Sequence, residues 1–163
     1  MLPLEGERKP RPWLATPSNE TSPMFSPDGH WLTYVSNESG RYEVYVRPYP
    51  GPGEKWQIST DGGAEPAWAH SGRELFYRNG DKMMVVDITT RPSFSAGKPK
   101  VLFEAPYAHP AGSEEFRFNN YDVSPDDQRF LMVQPSDQEL AAKQINVVLN
   151  WFEELKAKVP LAR

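Results

Sequence analysis

The stretch Phe25-Ser26-Pro27-Asp28-Gly29-His30-Trp31-Leu32-Thr33-Tyr34 decides how the rest of the chain is read. Pro27 favours a turn position, the Asp28 side chain can hydrogen-bond the backbone of its own turn, and Gly29 permits a positive φ. Residues 31–36 then alternate in character with the period of two that is typical of a strand with unlike faces. The stretch therefore predicts a β-hairpin.

The hairpin recurs along the chain at a fixed spacing. Four landmark residues repeat at an offset of 43: Trp13 with Trp56, Pro23 with Pro66, Phe25 with Trp68, and Gly29 with Gly72. A third copy, residues 121–133, lies 98 positions after the first, because Ser124 matches Ser26. The added length before the third copy falls in the turn-rich segments 89–97 and 108–113, which we expect to be loops. A constant offset of this kind indicates an internal repeat.

Each complete repeat contains four strand candidates. They are 22–26, 31–36, 41–47 and 54–59 in the first repeat, and 65–69, 74–78, 82–88 and 99–104 in the second. Four short strands in a period near 43 residues predict a β-propeller blade. The third repeat offers 118–123, 129–134 and 145–150, followed by a short helix over 151–159 that Pro160 ends. The predicted fold class is all-β, with three four-stranded blades forming half of a six-bladed propeller, and a short C-terminal helix.

The predicted domain organisation is a flexible leader followed by a half-propeller that starts and stops out of phase. The parts are the leader 1–10, the half-propeller 11–163 with a spare fourth strand at 11–16, blade 1 at about 20–60, blade 2 at about 63–105, and blade 3 at about 116–151. Blade 3 lacks its fourth strand, whereas the chain begins with a fourth strand that belongs to none of its three blades.

The two mismatched ends predict a homodimer. Three blades cannot close a ring, but two chains give six, and exchange of the spare strands would leave no unpaired edge. Trp13 and Leu14 are the predicted clasp residues on the spare strand, and Val147 and Leu149 are those on the strand that receives it. The alternative is that the chain is a fragment of a longer protein that supplies the remaining blades.

The repeat motif also resembles a known family. Phe25 to Gly29, followed by the strand Trp31 to Tyr34, is similar to the Pro-Asp-type WD40-like repeat of TolB-like six-bladed propellers. Two further stretches, 122–132 and 147–155, are similar to the C-terminal end of bacterial proteins that join a serine/threonine kinase domain to such a propeller. The chain contains no Gly-rich loop, His-Arg-Asp loop or Asp-Phe-Gly motif of a kinase. The resemblance therefore implies a sensory or interaction module.

Composition and charge argue against several classes of function. The 163 residues include no cysteine, so disulfides, thiolate metal sites and cysteine nucleophiles are excluded. A net charge of −4, with no basic block longer than residues 8–11, argues against a nucleic-acid partner. The sequence contains no run of 18 apolar residues, so it predicts no membrane-spanning helix. The N-terminus does not resemble a signal peptide. The compartment stays open: cytoplasmic if Met1 is the native start, and periplasmic or extracellular if the chain is a fragment.

No motif for catalysis is present. The Gly-x-Ser-x-Gly pattern of serine hydrolases is missing, and His30, His70 and His109 are widely spaced and do not align in the repeat. Adjacent carboxylates such as Glu114 and Glu115 would face apart on a strand or loop, as expected for a solvated surface. We therefore predict no catalytic residue, no metal and no cofactor.

The best candidate site lies at the mouth of the predicted central channel. By repeat alignment, Ser22, Glu65 and Asn120 precede the innermost strands, and Arg117 and Asn119 lie beside the last of them. This polar set predicts a funnel that recognises a ligand, a protein or a peptide, and the alternative is a channel filled with water. The predicted function is a non-catalytic binding and interaction module. Two alternatives stay open: an accessory or sensor fragment of a larger kinase or hydrolase, and an enzymatic funnel.

Overall fold

The computed structural model describes residues 1–6, 8–51, 53–107 and 119–134, which form eleven β-strands and no helix. The strands are β1 Glu20–Phe25, β2 Trp31–Ser36, β3 Glu43–Pro48, β4 Trp56–Gln57, β5 Ala64–Trp68, β6 Glu74–Asn79, β7 Lys82–Thr89, β8 Ser95–Ala96, β9 Lys100–Glu104, β10 Tyr121–Val123 and β11 Phe130–Met132. The all-β class is confirmed for this part of the chain. The third strand of the last repeat and the helix at 151–159 were predicted for residues outside the described ranges.

The strands form three antiparallel units in chain order. The first sheet runs β1-β2-β3-β4, and the second runs β5-β6-β7, with β8 and β9 both pairing with β7. The third unit is the β10–β11 hairpin. Strand pairing recurs at the offsets seen in the sequence, because Phe25 pairs with Leu32, Trp68 with Leu75, and Val123 with Phe130.

The second sheet lies between the two other units and contributes an apolar face to each. Along β6, Leu75 and Tyr77 belong to the core shared with the first sheet, whereas Phe76 belongs to the core shared with the β10–β11 hairpin. Strand β7 divides in the same way, with Val86 in the first core and Met83 in the second. Strand residues alternate between faces, so a sheet packed on both sides has apolar residues in succession.

The segment 89–97 contains a short strand and a buried ring in addition to the predicted loop. It contains β8, and just before β8 the buried ring of Phe94 lies 4.7 Å from Trp31 and 4.6 Å from Trp56, measured between ring centroids. Trp31 and Trp56 belong to the first sheet, so the predicted insertion of the second repeat packs across the boundary between two sheets. The loop prediction agrees with residues 90–94, which belong to no strand, whereas the two-residue strand β8 and the burial of Phe94 were not predicted.

Two local features concern the turn after β6 and the predicted spare strand. The β6–β7 turn is formed by Gly80 and Asp81, because Asn79 still pairs with Lys82 in the ladder. Residues 11–16, predicted as a spare strand, belong to none of the eleven strands of the described chain. No helix among the described residues is long and apolar enough to cross a membrane.

Candidate functional site

A backbone bulge recurs at the first two predicted funnel positions. Ser22 in β1 and Glu65 in β5 have φ values of 52° and 53°, and each lies where the pairing register shifts. Positive φ is uncommon for residues other than glycine, and a bulge turns a side chain away from the regular alternation. Equivalent residues of the first two sheets therefore share the same unusual backbone.

The structure brings three of the predicted funnel residues together where the second sheet meets the β10–β11 hairpin. The buried Glu65 carboxylate accepts a hydrogen bond from the backbone N–H of Asn120 at 3.0 Å. The Asn119 side chain donates to the Pro66 carbonyl at 2.9 Å. Ser22 lies half-buried on the first sheet, and Arg117 lies outside the described residues. The Glu65 carboxylate thus accepts a hydrogen bond from the main chain of Asn120, which is a structural use of a residue predicted to face a ligand.

Two buried polar residues beside Glu65 escaped prediction. The Tyr121 hydroxyl donates to the Glu65 carbonyl at 2.6 Å, and burial, reinforced by the Glu65 charge, raises the pKa of Tyr121 well above its usual value. Arg78 donates through Nε and Nη2 to the Gly80 carbonyl at 3.2 and 3.0 Å. Its Nη1 is buried with no hydrogen-bond partner in the described part of the chain. The sequence does contain a signal for the burial of Arg78. Its equivalents in the other repeats, residues 35 and 133, are both valine, which is typical of a buried position.

The turns that follow β1 and β10 have the same pattern of internal hydrogen bonds. In the first, Ser26 Oγ donates to Asp28 at 2.6 Å and accepts from the Trp31 N–H at 3.0 Å. In the third, Ser124 Oγ contacts Asp126 and accepts from the Arg129 N–H at 2.9 Å. Gly29, Gly72 and Asp127 occupy equivalent turn positions with φ values of 71°, 68° and 57°. The third turn therefore keeps its shape without glycine.

Asp127 links the third turn to the second. Its carboxylate accepts hydrogen bonds from the backbone N–H groups of His70 at 2.6 Å and Ser71 at 2.9 Å, and the His70 Nδ1 lies 3.2 Å away. Burial alone would raise the pKa of Asp127, but these hydrogen bonds hold it below its ordinary value of 3.8. The contact joins residues 57 positions apart and fixes the hairpin to the second sheet.

One face of the β10–β11 hairpin is open among the described residues. Leu131 and Val133 are 75% and 52% exposed. Their equivalents on the second sheet, Phe76 and Arg78, are each 2% exposed beneath the hairpin. Isolated exposed apolar residues are ordinary on a surface. These two occupy positions that are covered in the preceding sheet, so the open face has the character of a packing face.

The predicted clasp residues are only partly described. The Trp13 indole donates to the Pro50 carbonyl at 2.8 Å, and its ring lies 6.0 Å from that of Tyr49, so Trp13 contacts its own chain. Leu14 is half-buried beside it. Val147 and Leu149 lie outside the described residues.

The described residues contain no candidate metal site, and comparison with known proteins shows no family. Within residues 1–6, 8–51, 53–107 and 119–134, no group of three His, Asp or Glu side chains could hold a metal ion. No protein-family model matches the chain, and a search of curated proteins finds no significant match. The function must therefore be inferred from the arrangement of the sheets and their faces.

Proposed function

We propose that this chain is a non-catalytic β-propeller module of the TolB-like type that it resembles, acting in binding and assembly. In this proposal the first and second sheets and the β10–β11 hairpin are three successive blades. Two chains supply six blades and close the ring, with the segment around Trp13 completing the last blade of the other chain. The mouth of the ring, near Glu65 and Asn120, is the surface where a peptide or another protein would be recognised.

The observation that carries the proposal is the stacking of equivalent faces. Trp68, Leu75 and Tyr77 pack the second sheet onto the first. Val123, Phe130 and Met132, which follow them by 55 positions, pack the hairpin onto the second sheet. Face-to-face stacking of short antiparallel sheets in chain order is the arrangement of propeller blades. A unit stacked in this way requires a neighbour on its far side or a capping surface.

The buried polar residues at the junction of the second sheet and the hairpin do not support a catalytic role. Glu65 and Tyr121 are buried and hydrogen-bonded to neighbouring main chain, which stabilises the contact between two sheets. Catalysis by acid and base needs titratable groups that reach a substrate. Neither residue is placed to do so in the described part of the chain, so the proposal assigns them a structural role.

Small-angle X-ray scattering on the full chain tests the proposal. We expect the scattering of a flat, compact particle containing two chains, with a maximum dimension that stays constant on dilution. A variant lacking residues 1–16 should lose the dimer if these residues complete the neighbouring blade. A compact single-chain particle, or an elongated one that grows with concentration, would contradict the closed two-chain ring.

A further inference from the structure

The junction between the first and second sheets is marked by a proline that faces a glycine. A Cβ atom built on Gly72 would lie 3.8 Å from Cδ of Pro27, so the turn of the second sheet lies directly against the turn of the first. The proline belongs to the earlier sheet and the glycine to the later one. The same pair of positions at the next junction carries His70 and Asp127 instead.

The two ends of the described stack carry the halves of another such pair. Pro125 on the β10–β11 hairpin occupies the position of Pro27, and no later turn faces it in the described chain. Gly29 on the first sheet occupies the position of Gly72, and a Cβ there would have no atom within 4 Å. If the first sheet of a second copy followed the hairpin, the earlier unit would carry the proline and the later unit the glycine, as at the junction of the first two sheets.

The two ends of the stack also expose apolar residues beside these turns, and the equivalents of these residues are buried at the junctions already formed. Phe25 is 42% exposed, although its equivalents Trp68 and Val123 are buried against the preceding unit. Leu131 is the exposed equivalent of Phe76, which is buried in the core that contains Val123. Leu32, which pairs with Phe25, and Tyr34, which lies farther from the turn, are already buried within the chain, so Phe25 is the exposed apolar residue on this face of the first sheet.

We propose that the open face of the β10–β11 hairpin docks head-to-tail on the first sheet of a second copy of this chain. Pro125 then faces Gly29 of the second copy, and Leu131 and Val133 cover its Phe25. This inference rests on the two-chain ring proposed above and defines its blade-to-blade surface. A head-to-tail contact either closes into a ring or continues as a filament, and two copies of three blades close at six.

Because the sequence contains no cysteine, introduced cysteines are the only thiols that a cross-linker can join. The variant carrying both Gly29→Cys and Pro125→Cys is treated with a short bismaleimide and run on a denaturing gel. We expect one covalent band of two chains and no ladder. The control variant with Pro27→Cys and Gly72→Cys should link within a single chain, because that junction is already formed. A side chain at position 29 has room, since a Cβ there would meet no atom within 4 Å, and Asp127 shows that a residue other than glycine adopts the equivalent φ of 57°.

Each result of the test has a definite meaning. A second pair, Phe25→Cys with Leu131→Cys, guards against damage to the turns and should give the same covalent dimer. Light scattering that still gives two chains, with neither pair linked, would overturn this surface and leave the ring standing. Unlinked monomers would overturn both proposals. A ladder of larger species would show head-to-tail contact without closure and would also overturn both.

Discussion

Asp127 accepts a backbone hydrogen bond from His70 at 2.6 Å, and each of the two residues replaces the residue type found at its equivalents. Asp127 lies where Gly29 and Gly72 lie in the other turns, and His70 lies where Pro27 and Pro125 lie. Proline has no N–H to donate and glycine has no carboxylate to accept, so the pair could not form between the standard turns. The two departures from the repeat are complementary, and they distinguish the second junction from the first.

Replacing Asp127 should therefore loosen the hairpin. We expect Asp127→Ala to lower the free energy of unfolding by about 1 kcal/mol or more, since two N–H groups lose a charged acceptor. Asp127→Asn keeps an acceptor oxygen and should cost less. Asp127→Gly, the residue of the other two turns, removes the carboxylate and also relieves the positive φ, so it separates these effects. Urea unfolding gives the comparison, and equal values for the alanine and asparagine variants would contradict the assigned role.

The same contact should weaken in acid. The pKa of Asp127 is lowered in the folded chain, so its stabilising effect is complete above the ordinary value of 3.8 and is lost as the pH falls through the lower folded value. The difference in unfolding free energy between the native chain and Asp127→Asn should shrink toward zero on acidification. Because Asp28 and Asp126 have lowered pKa values as well, only this difference isolates Asp127. A difference that is constant down to about pH 2 would contradict the assignment.

Phe94 should behave as a core residue despite its place in a predicted loop. Its ring contacts those of Trp31 and Trp56, which also contact each other, and removing a buried aromatic ring typically costs about 3–5 kcal/mol. We expect Phe94→Ala to lower the unfolding free energy by that order and to alter tryptophan fluorescence. Leu102→Ala is the matched control, because Leu102 is exposed on β9. Similar effects of the two substitutions would show that Phe94 does not join the sheets.

Glu65 is expected to support the junction between the second sheet and the hairpin. Glu65→Ala would leave the Asn120 N–H without its acceptor, at a cost of about 1–3 kcal/mol, whereas Glu65→Gln keeps an acceptor oxygen and should cost less. Tyr121→Phe removes only the hydroxyl contact to the Glu65 carbonyl and should cost about 1 kcal/mol. Thermal unfolding monitored by circular dichroism measures all three. An unchanged midpoint for Glu65→Ala would contradict a structural role.

Strand positions could be predicted because alternation and turn chemistry are local. β2 was placed at its observed bounds, and β6 differs from the prediction by one residue. Strand β8 and the burial of Phe94 could not be found in this way. Burial of Phe94 depends on Trp31 and Trp56, which belong to another sheet and carry no local sign of the contact.

In the candidate site, only the residues at equivalent repeat positions could be predicted from the sequence. Aligning Glu65 with Asn120 placed two residues that do hydrogen-bond to each other. The alignment could not show that the carboxylate is buried, because burial depends on how the hairpin packs on the second sheet. Arg78 was not predicted to be buried because an arginine on an alternating strand usually faces solvent, whereas this one is 2% exposed.

Light scattering on the native chain and on Leu131→Asp tests the two-chain ring most directly. One chain has a mass of 18.5 kDa, so we predict about 37 kDa for the native protein. A carboxylate at position 131 would be buried in the proposed interface without a partner, so Leu131→Asp should weaken association at least about tenfold and shift the mass toward that of one chain. A native chain of 18.5 kDa at all concentrations would contradict the two-chain ring, and a dimer that Leu131→Asp leaves intact would contradict the docking surface proposed for the hairpin.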